Sequence, residues 1–259
     1  MTTTNTYRPR AATEIIDGAI QIVRRNYVPM VTVVAIAYVP FLVLQMTVFR
    51  GLMHSVLTGQ ILQLSIATSV GYYVMQLVWF ALIDTAMMVA ASDAYLGRPV
   101  DIAAAFRRAA PRLGATVIAS LIKYVLVGLG FVVFFFPALA FVALYFAVPA
   151  TIVLEGVGPI AGLRRSALLS KGLQWHALGT LVMIYGLYFV VIIGAAILVS
   201  LFADQTVIQL FSAIATILVY PFVPTVQALL YYDARIRKEG FDIELLAQRV
   251  GVSPVPQSA

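Results

Sequence analysis

Long apolar stretches separated by short polar segments make up most of this chain. A helix needs about 20 residues to cross a hydrocarbon core of about 30 Å. Stretches of that length occur at 28–49, within 66–91, twice within 113–154, near 175–202 and near 206–232. The pattern predicts an all-α, polytopic integral membrane protein whose 259 residues form a single membrane domain with six transmembrane helices in three hairpins.

The stretch from Leu113 to Leu154 would be about 63 Å long as one helix, twice the thickness of the hydrocarbon core. It must therefore fold back on itself. Pro137 lacks the N–H that an uninterrupted helix needs, and we place the reversal there. Pro149, Pro221 and Pro224 are expected to bend or break the fourth and sixth spans.

The distribution of basic residues predicts the orientation. Arginines and lysines concentrate before the first span, in the connections between the second and third and between the fourth and fifth spans, and after the sixth. Because such residues favour the cytoplasmic side, we expect residues 1–27 and 233–259 to be a cytoplasmic N-terminal segment and tail. The first span lacks the features of a removable signal peptide and is expected to stay in the mature protein.

A short amphipathic segment with an Arg-Arg pair precedes each predicted hairpin. We expect these segments to be helices in the cytoplasmic interface, with apolar stripes in the acyl region and guanidinium groups at the phosphates. The alternative is that basic juxtamembrane segments follow from orientation alone. The stripes are Ala12, Ile15, Ile16, Ala19 and Val23; Ile102, Ala105 and Phe106; and Ile160, Leu163 and Ala167. The basic residues predicted to contact anionic lipids or a partner are Arg24, Arg25, Arg107, Arg108, Arg164, Arg165 and Lys171.

Composition supports a membrane location. The chain is 62% hydrophobic and 11% charged, with a mean hydropathy of +0.97, so it has more apolar surface than one soluble core of this size buries. Its net charge is +6, but the charges lie in short clusters between apolar runs. This pattern indicates anionic lipid headgroups and not nucleic acid as the partner.

Two charged residues lie inside predicted spans, Asp84 in the second and Lys123 in the third. A charge in hydrocarbon costs at least about 2.5 kcal/mol unless it is paired or hydrated. Both residues are expected at about 12–15 Å from the cytoplasmic surface. They form either a buried salt bridge that joins two helices or a polar site on an ion or solute pathway.

The sequence gives no basis for predicting catalysis. It contains no cysteine and two histidines, His54 and His176, which excludes thiolate chemistry and a multi-histidine metal centre. Each histidine alone could ligate a haem or pigment, but no second ligand or attachment motif accompanies it. No phosphate-binding loop or nucleophile motif is present. We therefore predict no catalytic residue, metal or cofactor.

Two stretches resemble a bacterial family. Residues 153–175 contain Glu155, Arg165-Ser166 and Gly172-x-x-Trp175, and residues 229–242 contain Tyr231-Tyr232-Asp233 followed by basic residues. Both are similar to a group of six-helix membrane proteins related to the membrane domain attached to some glycerophosphodiester phosphodiesterases. The resemblance implies a bacterial cytoplasmic (inner) membrane location and an accessory role. The group is largely of unassigned function, so the resemblance implies no catalytic residue. The sequence also contains no soluble barrel in which phosphodiesterase chemistry would reside.

Together these observations predict a non-enzymatic accessory or scaffold protein that associates with a partner membrane complex, with anionic lipids, or with both. The alternative is a component of a transporter or channel for a small solute, an ion or a lipid. That alternative depends on Asp84, Lys123 and the proline-interrupted spans.

Overall fold

The computed structural model of the protein describes residues 8–57, 61–202 and 205–244. Within these ranges the chain forms helices and no β-strand. The first seven residues, residues 58–60, Ala203 and Asp204 in the short segment between the last two predicted spans, and the tail beyond Glu244 lie outside the described residues. The helices are α1 (Ala12–Arg25), α2 (Tyr27–Leu57), α3 (Ile61–Tyr95), α4 (Ile102–Ala109), α5 (Leu113–Val133), α6 (Phe135–Leu144), α7 (Val148–Leu154), α8 (Pro159–Ser170), α9 (Gln174–Ser200), α10 (Gln205–Val219) and α11 (Phe222–Glu239).

Six segments of the described chain are long and apolar enough to cross a membrane, which confirms the predicted number of spans. Helices that follow one another along the chain pack together in pairs: α2 against α3, α5 against α6 and α9 against α10. Much of their surface is apolar and exposed, as lipid contact requires. The segments are Tyr27–Thr47, Val70–Tyr95, Ile102–Val133, Phe135–Leu154, Gln174–Ser200 and Thr206–Glu239.

The chain reverses between α5 and α6 at Phe134, whose extended backbone ends α5. The reversal therefore comes three residues before Pro137. That proline occupies the first turn of α6, where a missing N–H costs nothing because no acceptor precedes it. The turn carries no polar side chain: residues 125–144 are apolar throughout, and Val132, Val133 and Phe136 are largely exposed.

The fourth span is interrupted between α6 and α7, just before Pro149. Proline cannot donate to the carbonyl four residues earlier, so a continuous helix is disfavoured here. Ser166 of α8 bridges the gap, because its hydroxyl donates to the carbonyl of Leu144 (2.9 Å) and accepts from the N–H of Ala147 (3.1 Å). A side chain from another helix thus satisfies the backbone groups that the interruption frees.

The sixth span is interrupted at Tyr220 and Pro221, between α10 and α11. Pro221 and Pro224 both remove donors that a continuous helix would use. The interruptions that we expected at these prolines and at Pro149 are therefore present in the structure. In the sixth span, the interruption places Tyr220 at the centre of the helix packing, where it is 7% exposed.

One end of the helix bundle carries α1, α4, α8 and the C-terminal end of α11, and we call it the basic end. Helix α1 packs on α9 and α11, α4 packs on α2 and α3, and α8 packs on α5, α7 and α11. Ile15, Ala19 and Val23 of α1 are completely buried in these contacts. Our expectation that this stripe contacts acyl chains is therefore wrong for these three residues, because other helices of the protein cover them, whereas Ile16 is half-buried.

The buried side of α8 also differs from our prediction. The predicted stripe included Ile160, which is 59% exposed. The helix buries Leu163, as predicted, together with Gly162, Ser166 and Leu169, so that its buried face is partly polar. Small and hydroxylic residues fit here because α8 lies against the backbone of the interrupted fourth span.

Candidate functional site

The basic end contains a network of charged side chains centred on Arg165 of α8. Its guanidinium pairs with Glu155, at the end of α7, at 2.8 Å and with Glu239, at the end of α11, at 2.5 Å. The hydroxyl of Tyr231 also donates to Glu155 at 2.8 Å. The hydrogen bond to Glu239, followed by that to Glu155, raises the pKa of Arg165 above its ordinary value. Arg165 thus joins three helices as a permanent cation.

A second part of this network surrounds Asp233 of α11, whose side chain is 2% exposed. One carboxylate oxygen accepts the backbone N–H of Arg10 at 2.7 Å, and the other pairs with Arg237 at 2.7 Å. Arg237 also donates to the carbonyl of Arg10. The Nε2 of His176 lies 3.3 Å from Asp233 without hydrogen-bond geometry. Asp233 therefore holds the start of α1 against α11.

Aromatic stacking completes the network. Tyr232 stacks between Tyr95 and Phe241, with ring centroids 4.5 and 5.6 Å apart, and its hydroxyl bonds to that of Ser92 at 2.6 Å. Both stretches that carry the family resemblance contribute to this region of the protein. Glu155, Tyr231 and Asp233 all lie in those stretches. The sequence does not show that Tyr231 bonds to Glu155. It also does not show that Asp233 bonds to the backbone of Arg10.

The seven basic residues predicted to contact lipid or a partner divide into two groups. Arg165 is held inside the network, and Arg108 pairs with Asp93 at 2.9 Å, with its side chain 46% exposed. The other five are exposed and form no salt bridge with any carboxylate of the described residues. These five, which we call the free basic residues, are Arg24, Arg25, Arg107, Arg164 and Lys171.

Asp84 and Lys123 lie near each other but do not form the direct salt bridge considered above. Lys123 is near enough to attract the Asp84 carboxylate electrostatically. Its side-chain nitrogen nevertheless lies more than 4.0 Å from both carboxylate oxygens, beyond the distance of a salt bridge. Asp84 instead accepts a hydrogen bond from the hydroxyl of Tyr220 at 2.6 Å. The physical reason is the interruption of the sixth span, which brings a phenol to the carboxylate from a third helix.

A cavity of about 450 Å³ lies between α3 and α5, and Asp84 contributes to its wall. Gln76 and Ser120 add polar groups, and the remaining wall is aromatic and aliphatic. Of the other polar residues within spans, Gln45 bonds to Tyr72 and Gln227 bonds to Tyr185. These two glutamines join helices, whereas Gln76 faces the cavity.

No three histidine, aspartate or glutamate side chains converge as a metal site in the part of the chain that the structure describes. The network at the basic end consists of ion pairs, hydrogen bonds and aromatic contacts. Comparison with protein families, with curated proteins and with solved structures found no match to this chain.

Proposed function

We propose that this protein is a non-enzymatic integral membrane accessory or scaffold protein of the bacterial inner membrane. In this proposal both termini and the basic end face the cytoplasm, and each helix pair is introduced by a helix at the cytoplasmic interface. The five free basic residues bind anionic lipid headgroups or acidic groups of a partner membrane complex.

The division of the arginines carries this proposal. Arg165 has two carboxylates within salt-bridge distance, whereas Arg164, the next residue, is exposed and has none. An unpaired arginine or lysine at a membrane surface is attracted to anionic lipids by about 1 kcal/mol. Five such residues around one end of the bundle therefore favour an anionic surface strongly.

The experiment compares the wild-type protein with a variant in which all five free basic residues are replaced by glutamine. Both are purified in mild detergent, and the lipids and proteins that co-purify are quantified by mass spectrometry. We expect phosphatidylglycerol, and any partner proteins, to be depleted from the variant. Equal amounts of lipid and of partner proteins in the two preparations would refute the proposal.

The orientation is tested by labelling introduced cysteines, because the natural chain contains none. Lys171→Cys is expected to react with an impermeant maleimide only when the reagent reaches the cytoplasmic side. Asp204→Cys, in the segment that the sequence places between the last two predicted spans, is expected to react from the opposite side. The reverse result would place the basic end outside the cytoplasm.

The cavity beside Asp84 supports a second candidate, a transporter or channel component. Ionisable residues at membrane depth and interrupted helices commonly mark transport pathways. Here Asp84 combines both features, because its hydrogen-bond partner Tyr220 lies at an interruption.

Water access to the cavity decides this second candidate. Ser120→Cys lies in the cavity wall, and the neighbouring Ala119→Cys is a matched control because Ala119 is completely buried elsewhere. A transport pathway requires that a small water-soluble thiol reagent modifies Ser120→Cys much faster than Ala119→Cys. Equal, slow reaction at both positions would exclude a hydrated pathway.

A further inference from the structure

A second cavity lies against α1, under the basic end. Its volume is about 300 Å³, and it lies between α1, α9 and the junction of α10 with α11. All of its lining side chains are apolar except that of Tyr188, which carries a hydroxyl group. A cavity of this size is at the lower limit of ordinary ligand sites, which have about 300–1,000 Å³.

The cavity extends from α1 along the membrane helices. On α9 its wall runs from Ile184 to Val191, and at the α10–α11 junction it runs from Val219 to Val226. Seven residues of helix cover about 10 Å. The cavity wall therefore follows two membrane spans for about 10 Å, which is enough to contact part of an acyl chain, and we call this cavity the slot.

A basic residue lies on the same flank of α1 as two of the residues that line the slot. Ile16 and Ile20 line it, and Arg24 follows Ile20 by four residues, which places the three on one flank of α1. Side chains on a helix point towards its N-terminus, so the Arg24 guanidinium extends back over the turn that contains Ile20. Arg25 is rotated by a further 100° and lies on the opposite flank.

Tyr27 shows that this end of α1 lies beside the slot. Its hydroxyl donates to the carbonyl of Leu218 at 3.2 Å, and the next residue, Val219, belongs to the wall. Arg24 is exposed and forms no salt bridge with a described carboxylate. Asp17, the acidic residue on the same side of α1, precedes Arg24 by two turns, so the Arg24 end carries the net positive charge.

We infer that this slot is a binding site for one anionic phospholipid, with an acyl chain between α9 and the α10–α11 junction and the phosphate at Arg24. The inference rests on the proposed lipid association and specifies a site for it. The apolar wall selects a hydrocarbon chain, and the single cation at its rim selects a negatively charged headgroup.

The test measures binding of phosphatidylglycerol and phosphatidylcholine to the full chain by native mass spectrometry during lipid titration. One arginine near the headgroup is worth about fivefold in affinity. We therefore expect Arg24→Gln to weaken binding of the first phosphatidylglycerol by about fivefold, with little change for phosphatidylcholine. Arg25→Gln, which removes the same charge from the other flank, is expected to change it less than about twofold.

The slot itself is tested by filling it. Val191→Trp places a large side chain in the slot, whereas Val190→Trp places it on the 71% exposed lipid-facing side of the same helix. We expect Val191→Trp to remove the tight phosphatidylglycerol site and Val190→Trp to leave it intact. Intrinsic fluorescence melting checks that both variants fold.

Two results would overturn the inference. Equal weakening by Arg24→Gln and Arg25→Gln would show a diffuse surface attraction, and so would unchanged binding in Val191→Trp. In either case the proposed association with anionic lipid would stand without this site. A wild-type protein that binds phosphatidylglycerol no better than phosphatidylcholine would instead refute lipid association itself.

Discussion

Replacing Arg165 with methionine is expected to destabilise the protein far more than the same replacement at Arg164. The change at Arg165 leaves Glu155 and Glu239 without the cation that now lies 2.8 and 2.5 Å from them. The change at Arg164 removes an exposed charge with no carboxylate partner. The two variants have identical composition, so any difference between them reports the contacts.

The expected magnitude follows from burial. Removing one partner of a fully buried ion pair costs about 3–5 kcal/mol, and removing one from an exposed pair costs about 0–1 kcal/mol. The Arg165, Glu155 and Glu239 side chains are 28%, 19% and 29% exposed. We therefore expect a loss of about 2–3 kcal/mol for Arg165→Met, between these limits. Arg164→Met is expected to change stability by at most about 0.5 kcal/mol.

Thermal melting in mild detergent measures this difference. At about 2–4 °C per kcal/mol for a chain of this size, Arg165→Met should lower the melting temperature by about 4–12 °C. Adding Glu155→Gln to Arg165→Met should recover part of the loss, because Arg165 is the only cation paired with Glu155 among the described residues, whereas Glu239 still pairs with Arg235 at 3.0 Å. Equal melting temperatures for the Arg165 and Arg164 variants would refute the assigned role of the network.

Two further substitutions probe the packing of α8. Ser166→Ala removes the bridge across the interrupted fourth span and leaves a buried N–H unpaired, for a loss of about 1–3 kcal/mol; Ser170→Ala, which removes a bond within α8, should cost no more than about 1 kcal/mol in the same melting assay. Gly162→Ala would place a Cβ 2.6 Å from Cγ1 of Ile152, whereas Gly158→Ala meets nothing within 4 Å. A melting temperature for Gly162→Ala as high as that for Gly158→Ala would show that the α7–α8 contact is looser than the structure indicates.

The six spans were predictable because length and apolarity alone determine them. The interruptions at Pro149 and Pro221 were also predictable, since proline lacks a backbone donor. The reversal was misplaced by three residues. Phe134 has no chemical feature that marks it as the turn, whereas the nearby Pro137 has one and yet fits within the first turn of α6.

What covers an apolar stripe was not predictable. The spacing of the apolar residues along α1 shows that one side of the helix is apolar. Contact with lipid and contact with protein would bury that side equally well. The structure places α9 and α11 there, and the residues that fix this contact, Arg10 and Asp233, are 223 positions apart. No local pattern reports such a pairing.

The same limit applies to the charged sites. An Arg-Arg pair gives two side chains about 100° apart on a helix, and sequence alone does not show which one turns inwards. For Asp84, matching depths pointed to Lys123, but the hydrogen bond comes from Tyr220 because the sixth span is interrupted beside it. A tyrosine next to a proline within a span was the available signal.

Because the turn between α5 and α6 is apolar, the two ends of the middle pair of spans differ: one carries only apolar side chains and the other carries basic residues. Residues 125–144 offer no charge, hydroxyl or amide side chain. A molecule that engages this pair at the turn must therefore bind through apolar contacts or backbone groups. Charge-based recognition of the middle pair is confined to the end where Arg107 and Arg164 lie.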